Sequence, residues 1–219
     1  MNGSLAGRRI LVSAGPTYED IDPVRFIGNR SSGKMGFAIA AAAARAGADT
    51  VLVAGPVHLQ TPPGVHRIDV RSAAQLREAV LAALPADAYI AAAAVADWTP
   101  RQVAPGKLKK QAEVDTLTLE LVRTADVLAE VAAHPRRPGL VLGFAAETGD
   151  VEANARAKLE AKQLDFIAAN RVGVAGSGFE SDDNALTVIG REETVRQLGP
   201  APKTELAQSL IEFIAERLS

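Results

Sequence analysis

The regular alternation of short apolar runs with longer segments of helical periodicity constrains the fold of this chain most. Strands are predicted at 9–15, 50–55, 65–70, 89–95, 140–146 and 165–169, and helices at 34–47, 72–84, 126–133, 151–163 and 204–218. Runs that are apolar throughout are typical of strands buried on both faces, and strand–helix repeats build parallel sheets. We therefore predict one α/β domain over residues 1–219, with a doubly wound, Rossmann-like, mostly parallel sheet.

Two segments depart from this alternation. Residues 116–121 alternate polar and apolar side chains, which is typical of a strand with one solvated face, so we predict an antiparallel flap at about 107–122. Residues 185–189 and 193–198 are predicted to form a hairpin around Gly190. The glycine-rich stretch 172–178 is predicted to be a loop.

Composition narrows the classes of partner. The formal net charge of −2 argues against nucleic-acid binding through a global basic field, while small anionic ligands stay possible. The longest apolar runs, 37–44 and 89–96, are shorter than the ~20 residues that a bilayer requires, so no membrane association is expected. The chain has no cysteine, which excludes thiolate catalysis and fits the expected cytoplasmic location.

The segment Gly28–Gly36 opens a predicted helix with small polar residues. Their N–H groups and hydroxyls would lie where the helix dipole favours an anion, which predicts a phosphate loop. The spacing also matches a Walker A loop, but Met35 stands where Ser or Thr would bind magnesium. A third interpretation is a loop that only caps the helix, through Asn29 or Ser32.

Asp97 follows the alanine-rich run 91–96 at the end of a predicted buried strand. Doubly wound folds bind ligands there, and small alanine side chains let a ligand approach the backbone. Asp97 is thus a candidate to orient a substrate group or to contact a nucleotide-bound magnesium ion. The alternative is that Asp97 only caps the following turn.

Lysines provide further candidates for phosphate binding. Residues 107–110 contain three lysines beside the predicted flap, where a lysine could close over phosphates, although such runs are usually just solvated. Lys158 and Lys162, spaced i and i+4, share one face of a predicted helix. They suit a polyphosphate, or they are exposed partners of the helix dipole.

Taken together, five segments resemble bacterial phosphopantothenoylcysteine synthetase of the CTP-dependent type. They are 22–27, 29–36, 93–97, 107–110 and 143–148, and their order and spacing agree along nearly the whole chain. In many bacteria this synthetase is the C-terminal domain of a bifunctional decarboxylase/synthetase. The loop 15–20 differs, because it reads Gly-Pro-Thr-Tyr-Glu-Asp where the family commonly has Gly-Gly-Thr-Arg-Glu-Pro.

The resemblance implies a ligase of coenzyme A biosynthesis. Such an enzyme activates 4′-phosphopantothenate with CTP, releases pyrophosphate, and then forms an amide with L-cysteine. It further implies Mg²⁺ bound with CTP, a homodimer with the flaps at its interface, and fusion to or association with a flavin-dependent decarboxylase. No flavin is expected in this chain.

The resemblance also implies roles for individual residues. Asn29 and Lys107 would be catalytic, and Arg25, Ala93 and Ala94 would bind the substrate, with Arg25 reaching the substrate phosphate across the dimer interface. Ser31, Ser32 and Gly33 would form the phosphate loop. The nucleotide would be bound by Asp97, Lys107, Ala125, Asp126, Val127, Leu128, Phe144, Lys158 and Lys162, with Asp97 also the candidate metal ligand.

Two other functions share the expected fold. A nucleotide-cofactor oxidoreductase would use a similar sheet, but no G-x-G-x-x-G segment follows the first strand. A nucleotide-sensing module would bind the same ligand without turnover.

Overall fold

The computed structural model describes residues 3–109, 115–147, 150–171, 182–191 and 194–218. Within them the strands are β1 (Arg9–Ala14), β2 (Tyr18–Asp20), β3 (Phe26–Gly28), β4 (Asp49–Ala54), β5 (Val65–Asp69), β6 (Ala88–Ala91), β7 (Trp98–Pro100), β8 (Leu121–Arg123), β9 (Leu140–Glu147), β10 (Phe166–Arg171), β11 (Asp183–Gly190) and β12 (Thr194–Pro202). The helices are α1 (Lys34–Arg45), α2 (Ala73–Ala82), α3 (Val127–Ala132), α4 (Val151–Ala161) and α5 (Lys203–Leu218). The predicted loop 172–178 lies outside the described residues.

Eight strands form one sheet in the order β12-β11-β10-β9-β6-β1-β4-β5. Six neighbouring strands of this sheet are parallel: β10, β9, β6, β1, β4 and β5. Strand β11 runs antiparallel to both of its neighbours, β10 and β12. The chain winds outward from β1 to β5 and returns to β6 on the other side of β1. At this switch point doubly wound folds open a crevice for ligands. The predicted doubly wound, mostly parallel sheet is confirmed.

Helices cover both faces of the sheet. Helices α1 and α5 share one apolar cluster with the sheet, and α2, α3 and α4 share the other. In β1, Ile10 and Val12 belong to the first cluster while Leu11 belongs to the second. Burial on both faces is the reason that the parallel strands are apolar throughout rather than alternating. None of the helices in the described ranges is long and apolar enough to cross a membrane.

Two glycines allow the backbone to pack closely beside the switch point. A Cβ on Gly36 would lie 2.4 Å from the Ala14 Cβ, so the start of α1 rests directly on the end of β1. A Cβ on Gly55 would lie 1.7 Å from the Pro16 carbonyl oxygen. Side chains at either position would push these segments apart.

The unusual loop 15–20 is well anchored. The Thr17 hydroxyl accepts a hydrogen bond from the Ala96 amide at 2.9 Å, and the buried Glu19 carboxylate accepts one from the Ala73 amide at 2.8 Å. Tyr18 stacks on Phe26 with ring centroids 3.8 Å apart. The loop thereby continues into the antiparallel pair β2–β3, which the sequence patterns did not predict.

Two other predictions differ from the structure, and a third is confirmed. The strand predicted at 89–95 ends at Ala91, and the chain beyond it pairs with Pro16 through an isolated bridge at Ala94. The strand predicted at 116–121 is wrong, because only Leu121 belongs to a strand, β8, which pairs antiparallel with β7. Leu117 is 60% exposed, so no buried face supports the alternation there. The predicted hairpin is confirmed as β11 and β12, both longer than expected.

Candidate active site

A cavity of about 740 Å³ lies at the carboxyl ends of β1, β6 and β9, where the winding of the sheet reverses. Its size falls in the range of about 300–1,000 Å³ that small-molecule sites occupy. The loop before α1, the segments 91–95 and 123–128, and the end of β9 contribute its walls. Residues far apart in sequence thus meet where the fold predicts a ligand.

Most of the site residues predicted from sequence line this cavity. They are Ser31, Ser32, Gly33, Ala93, Ala94, Asp97, Ala125, Asp126, Val127, Leu128, Phe144 and Lys162. The structure therefore brings together the predicted phosphate loop, the predicted acyl-binding alanines and the predicted nucleotide pocket.

The phosphate-loop segment enters α1 without a side-chain cap. Gly33 is the N-cap residue, with φ 75°, and its amide donates to the Ser31 hydroxyl at 3.3 Å. The alternative interpretation, in which Asn29 or Ser32 caps the helix, is therefore wrong. The first turn of α1 contains no acidic residue. The N–H groups at this helix start and the positive end of its dipole therefore face the cavity without a competing carboxylate.

Asn29 holds the alanine segment in place. Its side-chain amide donates to the carbonyl oxygens of Ala94, at 3.0 Å, and Val95, at 3.3 Å. Asn29 itself is exposed and lies beside the cavity rather than among its lining residues. Its donor group thus fixes the backbone that forms one wall.

The two carboxylates of the cavity differ in their contacts. Asp126 accepts from the Ala129 amide at 3.1 Å and pairs with Lys162 at 2.8 Å. Asp97 accepts no side-chain hydrogen bond from any described residue, so the turn-capping interpretation finds no support in those ranges. The described residues contain no group of three His, Cys, Asp or Glu placed to bind a metal. A single available carboxylate suits Mg²⁺ that is bound mainly by phosphates.

Besides Asn29, three predicted residues lie outside the cavity lining. Arg25 is partly exposed and pairs with Asp22, Lys107 is exposed on the segment before residue 110, and Lys158 is exposed on α4. Lys162 follows the last residue of α4 and is the one of the two helix lysines that reaches the cavity. Lys110 lies outside the described residues. Arg25, Lys107 and Lys158 could contact a ligand only from outside this lining.

Sequence reasoning missed Lys203, the first residue of α5. It is 6% exposed and lines the cavity together with Lys34, Asn170 and Asn184. Burial lowers the pKa of Lys203 and the nearby Lys34 lowers it further, while Asp182 acts in the opposite direction. A lysine is unfavourable at a helix N-terminus because its charge opposes the helix dipole. This unfavourable position was the signal in the sequence that could have identified Lys203.

Among the described residues, four basic side chains and two acidic side chains line the cavity. The basic ones are Lys34, Arg123, Lys162 and Lys203, and the acidic ones are Asp97 and Asp126. Asp126 is already paired with Lys162, and Lys34 is paired with Asp182 at 2.7 Å. The other two lining cations, Arg123 and Lys203, outnumber the other lining carboxylate, Asp97, so the field of the cavity is positive. Such a cavity attracts a polyanion such as a nucleoside triphosphate.

Tyr89 lies at the floor of the cavity, where its hydroxyl is 3.0 Å from that of Ser13. Burial raises the pKa of Tyr89 to about 12, with the Ser13 hydrogen bond acting in the opposite direction. An unfolded tyrosine titrates near pH 10, so between pH 10 and 12 the unfolded chain loses a proton that the folded chain keeps. The free energy of unfolding should therefore fall as the pH rises through this window.

Tyr89→Phe tests this expectation because it removes the ionisable group. Urea denaturation at pH 9 and pH 11 should show the parent losing about 1 kcal/mol more than the variant. Parallel losses in the two proteins would contradict a raised pKa.

Comparison with known proteins places the chain in a family. Residues 5–218 match the family model described as the DNA/pantothenate metabolism flavoprotein C-terminal domain. The chain belongs to this family. The match includes all the segments that line the cavity.

Two named relatives of this chain support its membership of the family. The chain is 51% identical over 215 residues to the coenzyme A biosynthesis bifunctional protein CoaBC of Vibrio cholerae, covering 98% of the chain and 54% of that protein. It is 49% identical to CoaBC of Escherichia coli, covering 95% of the chain and 52% of that protein. The chain thus spans about half the length of these relatives.

One solved structure covers the same extent. The crystal structure of the C-terminal domain of a CoaBC protein aligns with a TM-score of 0.83 and 38% sequence identity, covering 100% of this chain and 98% of that one. The α/β architecture is therefore that of the C-terminal half of CoaBC proteins.

Proposed function

We propose that this chain is a phosphopantothenate–cysteine ligase of coenzyme A biosynthesis that uses CTP. The observation that carries the proposal is the meeting of three of its five motif segments, 29–36, 93–97 and 143–148, on one positively charged cavity at the switch point of the sheet. Its membership of a family whose relatives are named for coenzyme A biosynthesis supports the same activity.

The reaction requires two displacements at one site. A carboxylate is a poor acyl donor, so the pantothenate carboxylate first attacks the α-phosphorus of CTP, and pyrophosphate leaves. The cysteine amine then attacks the acyl carbon, gives up a proton, and displaces CMP. The walled cavity would keep the acyl-cytidylate positioned and away from water.

The cavity residues suggest how the ligands are divided. Backbone groups of Ala93 and Ala94, in the segment that Asn29 binds through the Ala94 and Val95 carbonyls, would hold the acyl group next to the α-phosphate. The start of α1 would bind phosphate, and residues 125–128 with Phe144 would hold the nucleoside. Magnesium bound with the triphosphate, next to Asp97, would offset the negative charge of the triphosphate.

The lysines would act on the leaving group. Lys162 would give up its ion pair with Asp126 and bind a phosphate oxygen instead. Lys107 and Lys158 would approach the phosphates from outside the cavity. Positive charge placed where pyrophosphate develops its charge lowers the barrier of the first step.

A homodimer would complete the site. Large apolar side chains are exposed on the hairpins and the flap region: Val24, Phe26, Trp98, Val103 and Leu117. Burying them against a second copy would cover this surface and bring Arg25 to the substrate phosphate of the partner's site. A decarboxylase would be the partner domain in bifunctional relatives.

Product analysis tests the proposed function and its nucleotide preference. With 4′-phosphopantothenate, L-cysteine and Mg²⁺, mass spectrometry should detect phosphopantothenoylcysteine and CMP when CTP is supplied, whereas any turnover with ATP in its place would release AMP. We expect kcat/KM to be at least about tenfold higher with CTP, a factor of ten being about 1.4 kcal/mol of transition-state binding. Equal or better turnover with ATP would refute the preference, and nucleotide binding without product would favour a sensing module. Dinucleotide binding with an absorbance change would favour an oxidoreductase.

A further inference from the structure

A buried carboxylate, that of Asp22, links Arg25 to the segment that carries Lys107. The Asp22 side chain is fully shielded from solvent, although Arg25 beside it is 43% exposed. Oδ1 of Asp22 accepts from the amides of Val24, at 2.9 Å, and Arg25, at 2.8 Å. Oδ2 accepts from Nε of Arg25 at 3.0 Å, from Nη2 of Arg25 at 2.5 Å, and from the Leu108 amide at 3.1 Å.

Every group around this carboxylate is an N–H donor. An ionised carboxylate is acceptor-only and can satisfy all five, whereas an amide would turn an NH₂ group toward one set of donors. The Arg25 guanidinium holds the pKa of Asp22 far below its usual range, so the group is ionised throughout the neutral range.

The same contacts fasten the segment that carries Lys107. Nη2 of Arg25 also donates to the Leu108 carbonyl at 3.1 Å, and the Ala104 amide donates to the Ile21 carbonyl at 2.9 Å. Lys107 lies between these two attachment points. The turn 21–25 and the segment 104–108 therefore form one hydrogen-bonded unit.

The guanidinium of Arg25 is also oriented. Asp22 and Leu108 occupy its Nε–Nη2 edge, while Nη1 makes no hydrogen bond to any described residue. A planar guanidinium held along one edge presents the other in a fixed direction. That free edge is available to an anionic ligand.

We propose that Asp22 is a positioning residue that sets Arg25 and Lys107 together for an anionic phosphate ligand. It acts through these two side chains and does not touch the ligand. The inference rests on the proposed function for the identity of that ligand, 4′-phosphopantothenate with its nucleotide, but the positioning can be measured without turnover.

Hydrogen exchange measures the positioning directly. Asp22→Asn should speed amide exchange in residues 104–108 at least tenfold, because the uncharged amide weakens every one of these hydrogen bonds and turns its NH₂ group toward one set of donors. The matched control is Asp20→Asn in the same hairpin, where Asp20 pairs with Arg71 at 2.6 Å and makes no contact with 104–108. Unchanged protection in Asp22→Asn, or equal loss in the control, would overturn the proposal. If Asp22→Asn does not fold, Arg25→Ala should speed the same exchange by a smaller factor, and no change there would overturn it.

Kinetics separate positioning from a general structural role. Asp22→Asn should lower kcat/KM for phosphopantothenate-dependent pyrophosphate release at least tenfold in the parent. When Lys107 is already replaced by glutamine, Asp22→Asn should lower kcat/KM by a factor at least threefold smaller. The reason is that the effects of two residues that act together are not additive. Equal factors in both backgrounds would contradict action through Lys107. If the parent itself releases no pyrophosphate, the proposed function fails, while the exchange result still decides the positioning.

Discussion

Replacing Lys107 with glutamine is expected to lower the rate of pyrophosphate release about 100-fold, with little change in thermal stability. The reason is that the Lys107 side chain is exposed and makes no hydrogen bond or ion pair with any described residue, so the fold does not depend on its ammonium group. Loss of a charge contact made in the transition state costs about 10²-fold or more in rate. Single-turnover measurement with CTP and 4′-phosphopantothenate isolates this step.

Lys109 provides the matched control for this change. It is exposed on the same segment, and Lys109→Gln removes the same charge two residues away. We expect less than threefold loss in that variant. Equal losses in both variants would mean that the segment contributes only a diffuse positive field, and no loss in either would return Lys107 to a solvated surface role.

Asn29→Asp is expected to separate the two half-reactions. The amide of Asn29 donates to the Ala94 and Val95 carbonyls, and a carboxylate in its place would repel both oxygens. The backbone wall beside the acyl group should shift, and the added negative charge should disfavour the oxyanion that forms when cysteine attacks. The first step depends chiefly on the positive groups around the phosphates and should survive better.

The expected result is a stoichiometric burst of pyrophosphate followed by slow product formation. The acyl-cytidylate should accumulate before cysteine is added, and amide formation should fall at least tenfold more than activation does. Asn154→Asp, an exposed change of the same kind on α4, is the control and should turn over like the parent. A parent-like rate in Asn29→Asp, or equal loss in both steps, would contradict a special role in the second step.

The parallel core of the fold was predictable because its physical cause is local. Strands such as β1 and β4 are buried on both faces, so each is an apolar run that the sequence displays directly. The hairpins β2–β3 and β7–β8 were not predictable in this way. Their strands contain three residues each and are stabilised by distant contacts, such as the hydrogen bond from the Ala96 amide to Thr17.

The candidate site shows the same division. Asp97 could be predicted as a candidate because it follows a buried strand, and the carboxyl ends of parallel strands meet at one edge. The role expected for Ala93 came from the family resemblance. Lys203 was missed because it reaches the cavity from the last helix, which sequence patterns do not place next to α1. Four of the donors around Asp22 are local, on Val24 and Arg25, but the proposed role of Asp22 also depends on the Leu108 amide, which only the folded chain brings to it.

Release of pyrophosphate from CTP tests the central claim most directly. The chain, with Mg²⁺ and CTP, should release pyrophosphate only when 4′-phosphopantothenate is present, and stoichiometrically before cysteine is added. Cysteine should then restart turnover, with one CMP formed for each amide. Release that is independent of 4′-phosphopantothenate, or no release although CTP binds, would contradict the assignment of this cavity to acyl-cytidylate formation.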